Sequence, residues 1–304
     1  MRRQPRRPRG AGVKPARFDY VAPDSLDAVV DLLAKGDPDA KLLAGGQSLI
    51  PLLNFRLVRP SVIIDLRRVP ELRGIEQGEG YLDIGAMTSQ RAIEHHPQVA
   101  SDAPLLREAT GYIGHLPIRT RGTIGGSLAH ADPAAEYPVV ALAADLRLVV
   151  RGPAGTRELP AREFFLGYLT TALQPDEVLV RVRVPKAAPE RGAAFVEIAR
   201  RPGDFAIVAV AATAALDAAG RVESVSIAVG GAAPAPFRAD AAEAALLGSA
   251  IGPVVIEEAA ALVADAAEPE ADLQGTADYR RALCRVLVGR ALTLASGRAT
   301  QAAA

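Results

Sequence analysis

Two stretches decide how this chain is read: Leu43-Ala-Gly-Gly-Gln-Ser-Leu-Ile-Pro51 and Ile118-Arg-Thr-Arg-Gly-Thr-Ile-Gly-Gly-Ser-Leu-Ala-His-Ala-Asp-Pro-Ala-Ala-Glu136. In the first, Gly45 and Gly46 follow Lys41 to Leu43, which reads as a buried strand. They precede Leu49 to Leu57, which reads as a helix with Pro51 in its first turn. Consecutive residues without a Cβ let backbone N–H groups approach an anion closely, and Ser48 adds a hydroxyl donor. In the second, Thr123, Gly125, Gly126 and Ser127 offer hydroxyls and unhindered amides behind Arg119 and Arg121. Neither stretch ends in Gly-Lys-Ser/Thr, and neither is Gly-x-Gly-x-x-Gly, so the common nucleotide loops are absent. Either alone reads equally as a tight turn. Two of them, about eighty positions apart, suit a diphosphate held from two sides.

Around these loops, strands and helices mix without βαβ repetition, an α+β pattern. Ser25 can cap a helix bearing Leu26, Val29, Val30 and Leu33 on one side and ending at Gly36; Ser61–Leu66 and Tyr81–Ala86 read as strands. Helical pieces follow at Gln90–His95, Pro104–Tyr112 and Val139–Ala144. Val178, Val180, Val182 and Val184 alternate with Leu179, Arg181 and Arg183, a half-buried strand stopped by Pro185. A boundary falls near residue 190. Beyond it, Ala193–Ala199, Ala206–Leu216 and Val222–Val229 read as three strands, and Ala-rich helices occupy 239–247, 254–266 and 277–296.

Composition narrows the function. Lys+Arg and Asp+Glu both count 35, so there is no basic excess for nucleic acid. No apolar run is long enough to span a membrane. One cysteine, Cys284, on an apolar helical face, excludes an iron–sulfur cluster held by this chain alone and reads as a core thiol. His95, His96, His115 and His130 have no partners at metal-ligand spacing, so no metal site is expected. Arg2, Arg3, Arg6, Arg7 and Arg9 crowd the opening residues without the apolar stretch an export signal needs, and read as a disordered basic tail in a cytoplasmic protein.

The two loops in this order, with Lys14-Pro-Ala-Arg-Phe-Asp-Tyr20 and Glu197-Ile-Ala-Arg-Arg-Pro-Gly-Asp-Phe205, resemble the FAD-binding medium subunits of the molybdenum hydroxylases, the xanthine dehydrogenase and carbon monoxide dehydrogenase type. The likeness runs from about Lys14 to Arg290. It implies a two-lobed vanillyl-alcohol-oxidase-type (PCMH-type) FAD domain over residues 13–190. A small C-terminal domain over 191–296 would hold a three-stranded antiparallel sheet and a helical bundle. Tails would occupy 1–12 and 297–304; Val13 stands where relatives often begin with Met, so residues 1–12 are read as an over-extended start.

Carried over residue by residue, Ala44, Gly45, Gly46, Gln47, Ser48 and Leu49 match one diphosphate-gripping segment, and Thr123, Ile124, Gly125, Gly126 and Ser127 match the other. Glu136 stands where relatives usually carry Asp, at the adenosine end of the cofactor. Leu179 or Val180 matches a strand position on the flavin side. Asp204 and Phe205 match a loop beside the isoalloxazine. The resemblance implies an electron-transfer subunit with FAD and no catalytic residue or metal of its own. A large subunit would hold molybdopterin and a small one two [2Fe-2S] clusters, in a dimer of heterotrimers. Two other readings stand beside it: a free-standing FAD oxidoreductase of the same fold acting directly on a small substrate, and a non-catalytic nucleotide-binding or assembly module, with flavin that transfers no electrons or with none.

Overall fold

Parallel pairing organises the first lobe of the computed structural model, which describes residues 14–303. Here β1 (Asp19–Val21), α1 (Leu26–Leu33), β2 (Lys41–Leu43), α2 (Leu49–Asn54) and β3 (Val62–Asp65) form a three-stranded sheet in the order β1-β3-β2. The Ser25 hydroxyl accepts the Ala28 amide at 3.3 Å and so starts α1, whose Val29, Val30 and Leu33 are buried against Ile64, Leu66 and Leu72. β2 is an edge strand and only half-buried, not the buried strand its composition suggested. α2 stops at Asn54 rather than Leu57 because Arg56 turns left-handed (φ 57°) and the Leu57 amide folds back on the Leu52 carbonyl at 2.9 Å.

The second lobe contains β4 (Ile75–Gln77), β5 (Tyr81–Gly85), α3 (Gln90–His95), α4 (Pro97–Asp102), α5 (Pro104–Thr110), α6 (Leu116–Arg121), α7 (Ile124–His130) and α8 (Glu136–Ala143). It continues through β6 (Arg147–Gly152), β7 (Gly155–Pro160), α9 (Ala161–Phe164), β8 (Phe165–Gly167), β9 (Thr170–Thr171) and β10 (Val178–Pro185). The main sheet is antiparallel in the order β4-β5-β10-β6-β7, with β10 at its centre. Val178, Val182 and Val184 are buried as their alternation requires, while Arg183 pairs with Asp83 and Glu158 on the other face. Val180 departs from the pattern. A register shift between Leu179 and Arg181 sends its carbonyl to the Ala86 amide at 3.0 Å, and Leu179 becomes the buried residue.

The C-terminal domain begins at β11 (Gly192–Ala199) and continues with β12 (Ala206–Leu216), β13 (Val222–Gly230), β14 (Phe237–Arg238), α10 (Asp240–Leu246), α11 (Pro253–Ala266) and α12 (Ala277–Ala303). The three long strands form the expected antiparallel sheet, and β14 adds a two-residue fourth strand at its edge. Both faces are covered. Phe195, Ala209, Ala211 and Ala228 pack on the second lobe, and Ala194, Val208, Val210 and Ala212 on the helices. The alanines keep β12 thin enough for this sandwich, and a Cβ on Gly192 would overlap the Ala295 carbonyl, so α12 lies directly on the sheet edge. That contact carries α12 past 296 with Ala299 buried, so the stretch expected as a disordered tail is helical to Ala303. The basic tail and the reading of residues 1–12 as an over-extended start fall outside the described residues.

Candidate functional site

The two glycine stretches, far apart in sequence, touch. A Cβ on Gly45 would collide with the Arg121 carbonyl and stand 2.8 Å from the Gly122 Cα; a Cβ on Gly126 would lie 3.2 Å from the Ala44 Cβ. The first loop therefore sits backbone-to-backbone on the second, in a contact that side chains at these positions would prevent.

Their hydrogen bonding differs. Among the described residues, the amides of Gly46, Gln47 and Ser48 donate to no protein acceptor, and the Ser48 hydroxyl forms no cap bond to α2. Gly46 holds φ at 75°, a conformation open to glycine, and Gln47 bonds back to the Gly45 carbonyl through its Nε2 at 3.2 Å. In the second stretch the amides are already used: Ile124 donates to the Thr88 carbonyl (3.1 Å), Gly125 to Ala86 (2.9 Å), Gly126 to the Thr123 hydroxyl (3.1 Å) and Ser127 to the Thr123 carbonyl (3.1 Å). The expectation of unhindered amides in both loops thus holds only for the first. Residues 124–127 are the first turn of α7, capped by Thr123 and pinned to the 86–88 segment, so Ser127 contributes a hydroxyl rather than an amide.

Beside this contact runs a cleft of about 570 Å³, within the ordinary ~300–1,000 Å³ range of small-molecule sites. Ala44, Gly45, Gly46, Gln47, Ser48 and Leu49 line it, and so do Thr123, Gly125, Gly126 and Ser127. Glu136, Leu179, Asp204 and Phe205 complete the set of expected positions found on its walls. Ile124 and Val180 do not line it: Ile124 is wholly buried in the core of the second lobe, and Val180 packs in the core of the first. Free amides and hydroxyls beside one wall, with Leu169, Leu173 and Leu179 on another, match a ligand with an anionic bridge and an apolar ring system. The residues present fit a flavin dinucleotide.

Comparison with known proteins agrees. The family model described as the FAD binding domain in molybdopterin dehydrogenase matches residues 16–187, and that of the CO dehydrogenase flavoprotein C-terminal domain matches 193–295. The chain is 41% identical to the 6-hydroxypseudooxynicotine dehydrogenase complex subunit alpha of Paenarthrobacter nicotinovorans, over 94% of this chain and 97% of that one. It is 39% identical to the carbon monoxide dehydrogenase medium chain of Hydrogenophaga pseudoflava, over 93% and 99%. Among solved structures, carbon monoxide dehydrogenase from Hydrogenophaga pseudoflava superposes with a TM-score of 0.92 at 42% identity, covering 93% of this chain and 99% of that one. Quinoline 2-oxidoreductase from Pseudomonas putida 86 gives 0.90 at 40%, covering 94% and 99%. This chain belongs to the FAD-binding medium subunits of the molybdenum hydroxylases. It is an oxidoreductase subunit with an electron-transfer role in such a complex.

Each domain of the medium subunit supplies walls to the cleft. The loop bearing Asp204 and Phe205 belongs to the C-terminal domain and reaches the cleft because Gly203, at φ 86°, lies against the His115 ring at the start of α6. Phe205 stays half-exposed at the rim. Glu136 opens α8 with 5% exposure; burial lifts its carboxyl to about 7, and the neighbouring Asp132 charge adds to the shift.

Sequence reasoning missed Gln90, Leu169 and Leu173. Gln90 is buried on the wall, its Oε1 without a partner, because the Ser89–Thr123 bridge draws α3 against the second loop. Leu169 reaches the cleft from the β8–β9 turn at φ 50°, and no periodic pattern marks it. The described residues contain no group of His, Cys, Asp and Glu able to hold a metal ion. Cys284 is buried, its thiol pushed up to about 11 by burial.

Proposed function

We propose that FAD lies in this cleft with its diphosphate across the Gly46, Gln47 and Ser48 amides, steadied by the hydroxyls of Ser48 and Ser127. The carrying observation is the asymmetry of the loops: one keeps its donors free while the other, with its amides used internally, backs it rigidly. Charge-assisted hydrogen bonds of this kind contribute about 1.5–3 kcal/mol each. Glu136 serves the adenosine end, and Leu179 with Phe205 packs the flavin side. When bound, FAD supplies a carrier able to accept electrons one at a time and release them in pairs. The chain orients that carrier, excludes water from its apolar end and offers no acid or base for substrate chemistry.

In this reading the medium subunit stands between a small subunit bearing two [2Fe-2S] clusters and an external acceptor. A large subunit holding molybdopterin oxidises the organic substrate, and the assembly is a cytoplasmic dimer of heterotrimers. Named relatives that act in complexes on 6-hydroxypseudooxynicotine and carbon monoxide support this division of labour. The test is purification with and without the partner chains. Flavin absorbance on this chain, bleached by organic substrate only when the molybdenum and iron–sulfur chains are present, is the expected result. Bleaching of the isolated chain by an organic substrate would instead mark a free-standing oxidoreductase, and flavin that never changes redox state would mark an assembly module.

A further inference from the structure

One buried polar side chain on the cleft wall has nothing to bond. Gln90 opens α3, and its backbone amide donates to the Gly122 carbonyl at 2.9 Å beside the Ser89–Thr123 bridge. Only 5% of the residue is exposed, and its Oε1 is sealed without a hydrogen-bond partner. That oxygen lies against Gly122: a Cβ there would stand 2.5 Å from it and 2.8 Å from Cδ, so the carboxamide can rest in this place only over a glycine. Nε2 donates to no acceptor among the described residues and is not sealed in the same way. Because Gln90 lines the cleft, the open end of its carboxamide is the cleft end.

Other polar side chains in this part of the molecule are engaged. The Thr88 hydroxyl donates to the Gly74 carbonyl at 2.9 Å, the Thr123 hydroxyl accepts the Gly126 amide, and Gln47 closes on the Gly45 carbonyl. The Arg119 guanidinium is committed to Glu94 and to the Ile113 and Gly114 carbonyls. Ala86, Met87, Ile113 and Ile118, which share the wall with Gln90, are apolar. A buried amide among such groups is unfavourable unless something completes its hydrogen bonding. Its position tells which part of a ligand does so. On one side Gly122 meets the first loop, since a Cβ on Gly45 would stand 2.8 Å from the Gly122 Cα. On the other, the Gly122 amide donates to the Ile118 carbonyl at 2.6 Å, the Ile118 side chain packs on Gly114, and Gly114 touches Gly203 just before Asp204 and Phe205. Gln90 thus stands between the loop with free amides and the rim that carries Phe205.

We propose that Gln90 Nε2 donates to a carbonyl oxygen on the polar edge of the flavin ring and thereby favours the reduced over the oxidised cofactor. The inference rests on the reading that FAD fills this cleft with its diphosphate on the first loop and its ring toward Phe205. The pyrimidine edge of an isoalloxazine carries two carbonyl oxygens, and reduction adds negative charge along that edge. A hydrogen bond to a charged acceptor is about twice as strong as one to a neutral acceptor, so one N–H group holds the reduced form more tightly. Gly122 keeps the carboxamide oxygen against the wall and so turns a donor to the ring. An acceptor in its place would have the opposite preference.

The experiment measures the Kd of FAD for the full-length wild type and for Gln90→Met by equilibrium dialysis, once with oxidised cofactor and once, without oxygen, with dithionite-reduced cofactor. Methionine keeps the length of the side chain and the backbone bond to Gly122 but offers no side-chain N–H. In the variant, Kd is expected to rise about fivefold for the oxidised form and about fiftyfold for the reduced form. The tenfold change in their ratio equals a midpoint potential lower by about 30 mV for a two-electron couple. A ratio that is the same in both chains overturns the contact with the ring, because a merely structural role weakens both forms alike. The wild type alone supplies a second readout that needs no variant to fold. With glutamine labelled by nitrogen-15, the Gln90 side-chain amide resonance shifts when FAD binds and shifts further when the bound FAD is reduced. A resonance that neither step moves overturns the proposal. A wild-type chain that binds FAD in neither form would instead overturn the assignment of the cleft.

Discussion

The glycine pairs Gly45-Gly46 and Gly125-Gly126 look interchangeable on paper and do opposite things in the fold. In the first, Gly46 takes a left-handed turn and leaves three successive amides free beside the cleft. In the second, Gly125 and Gly126 sit inside a capped helix turn, where missing side chains permit contact with Ala86 and Ala44 rather than exposing donors. A ligand-binding backbone needs an equally rigid backbone behind it, and glycine serves both ends by different physics: conformational freedom in one loop, close approach in the other.

The contrast is open to attack at several points, the largest effect first. Gly45→Ala drives a methyl into the Arg121 carbonyl and parts the loops. FAD affinity is expected to fall more than about 100-fold, the loss of at least two charge-assisted hydrogen bonds, in an equilibrium titration. Gly125→Ala, whose Cβ would lie 2.5 Å from that of Ala86, should act chiefly on folding. Overpacking of this kind costs about 1–3 kcal/mol, read as a lower denaturation midpoint, with a smaller change in flavin affinity. Equal flavin loss in the two variants would erase the distinction between the loops.

The arm that follows the second loop carries a pH signature. Ordinary glutamate ionises near 4.5, while buried Glu136 holds its proton to about 7. The folded state thus binds that proton more tightly than the unfolded state, so the contribution of Glu136 to stability is full below about pH 4.5 and is lost as pH rises to about 7. For Glu136 the decline amounts to about 3 kcal/mol. Denaturant titrations of the flavin-free chain at pH 5 and pH 8 should show it, and Glu136→Gln should shrink the difference. The reverse slope would contradict the buried state of this carboxyl.

Smaller effects sharpen the comparison further. Ser48→Ala removes a free hydroxyl of the first loop and is expected to weaken FAD about tenfold, with little change in stability. Thr123→Ala removes the cap that occupies the Gly126 amide, at a cost of about 1 kcal/mol in stability. Because the freed amide offers a substitute donor beside the cleft, flavin affinity should change by less than about threefold. A stability loss from Ser48→Ala exceeding that from Thr123→Ala would reverse the assigned roles.

Much of this was legible in one dimension, for reasons that can be given residue by residue. Ser25 followed by apolar residues at helical spacing announces α1, and the long strands β11 to β13 appear as runs of Ala, Val and Ile bounded by polar turns. Other elements were silent. The alternation of Val178 to Val184 hides the register shift that exchanges Val180 for Leu179, because a bulge is a response to neighbouring strands and leaves no mark in side-chain polarity. Gln90 reaches the cleft through the Ser89–Thr123 bridge, whose partner lies elsewhere in the chain, and Leu169 through a left-handed turn residue that no side-chain pattern marks. The helix past residue 296 is sustained by packing on β11, which local composition does not reveal.

The amino-acid order alone determined that this is an α+β chain with two glycine loops of family-specific wording, since strand and helix periods, caps and glycine pairs act over a few neighbouring residues. Only the tertiary structure decided which loop presents its amides and which uses them, and that Glu136 is buried on the cleft wall. Those outcomes depend on which distant backbone each group meets, and hydrogen bonds and burial act through space rather than along the chain.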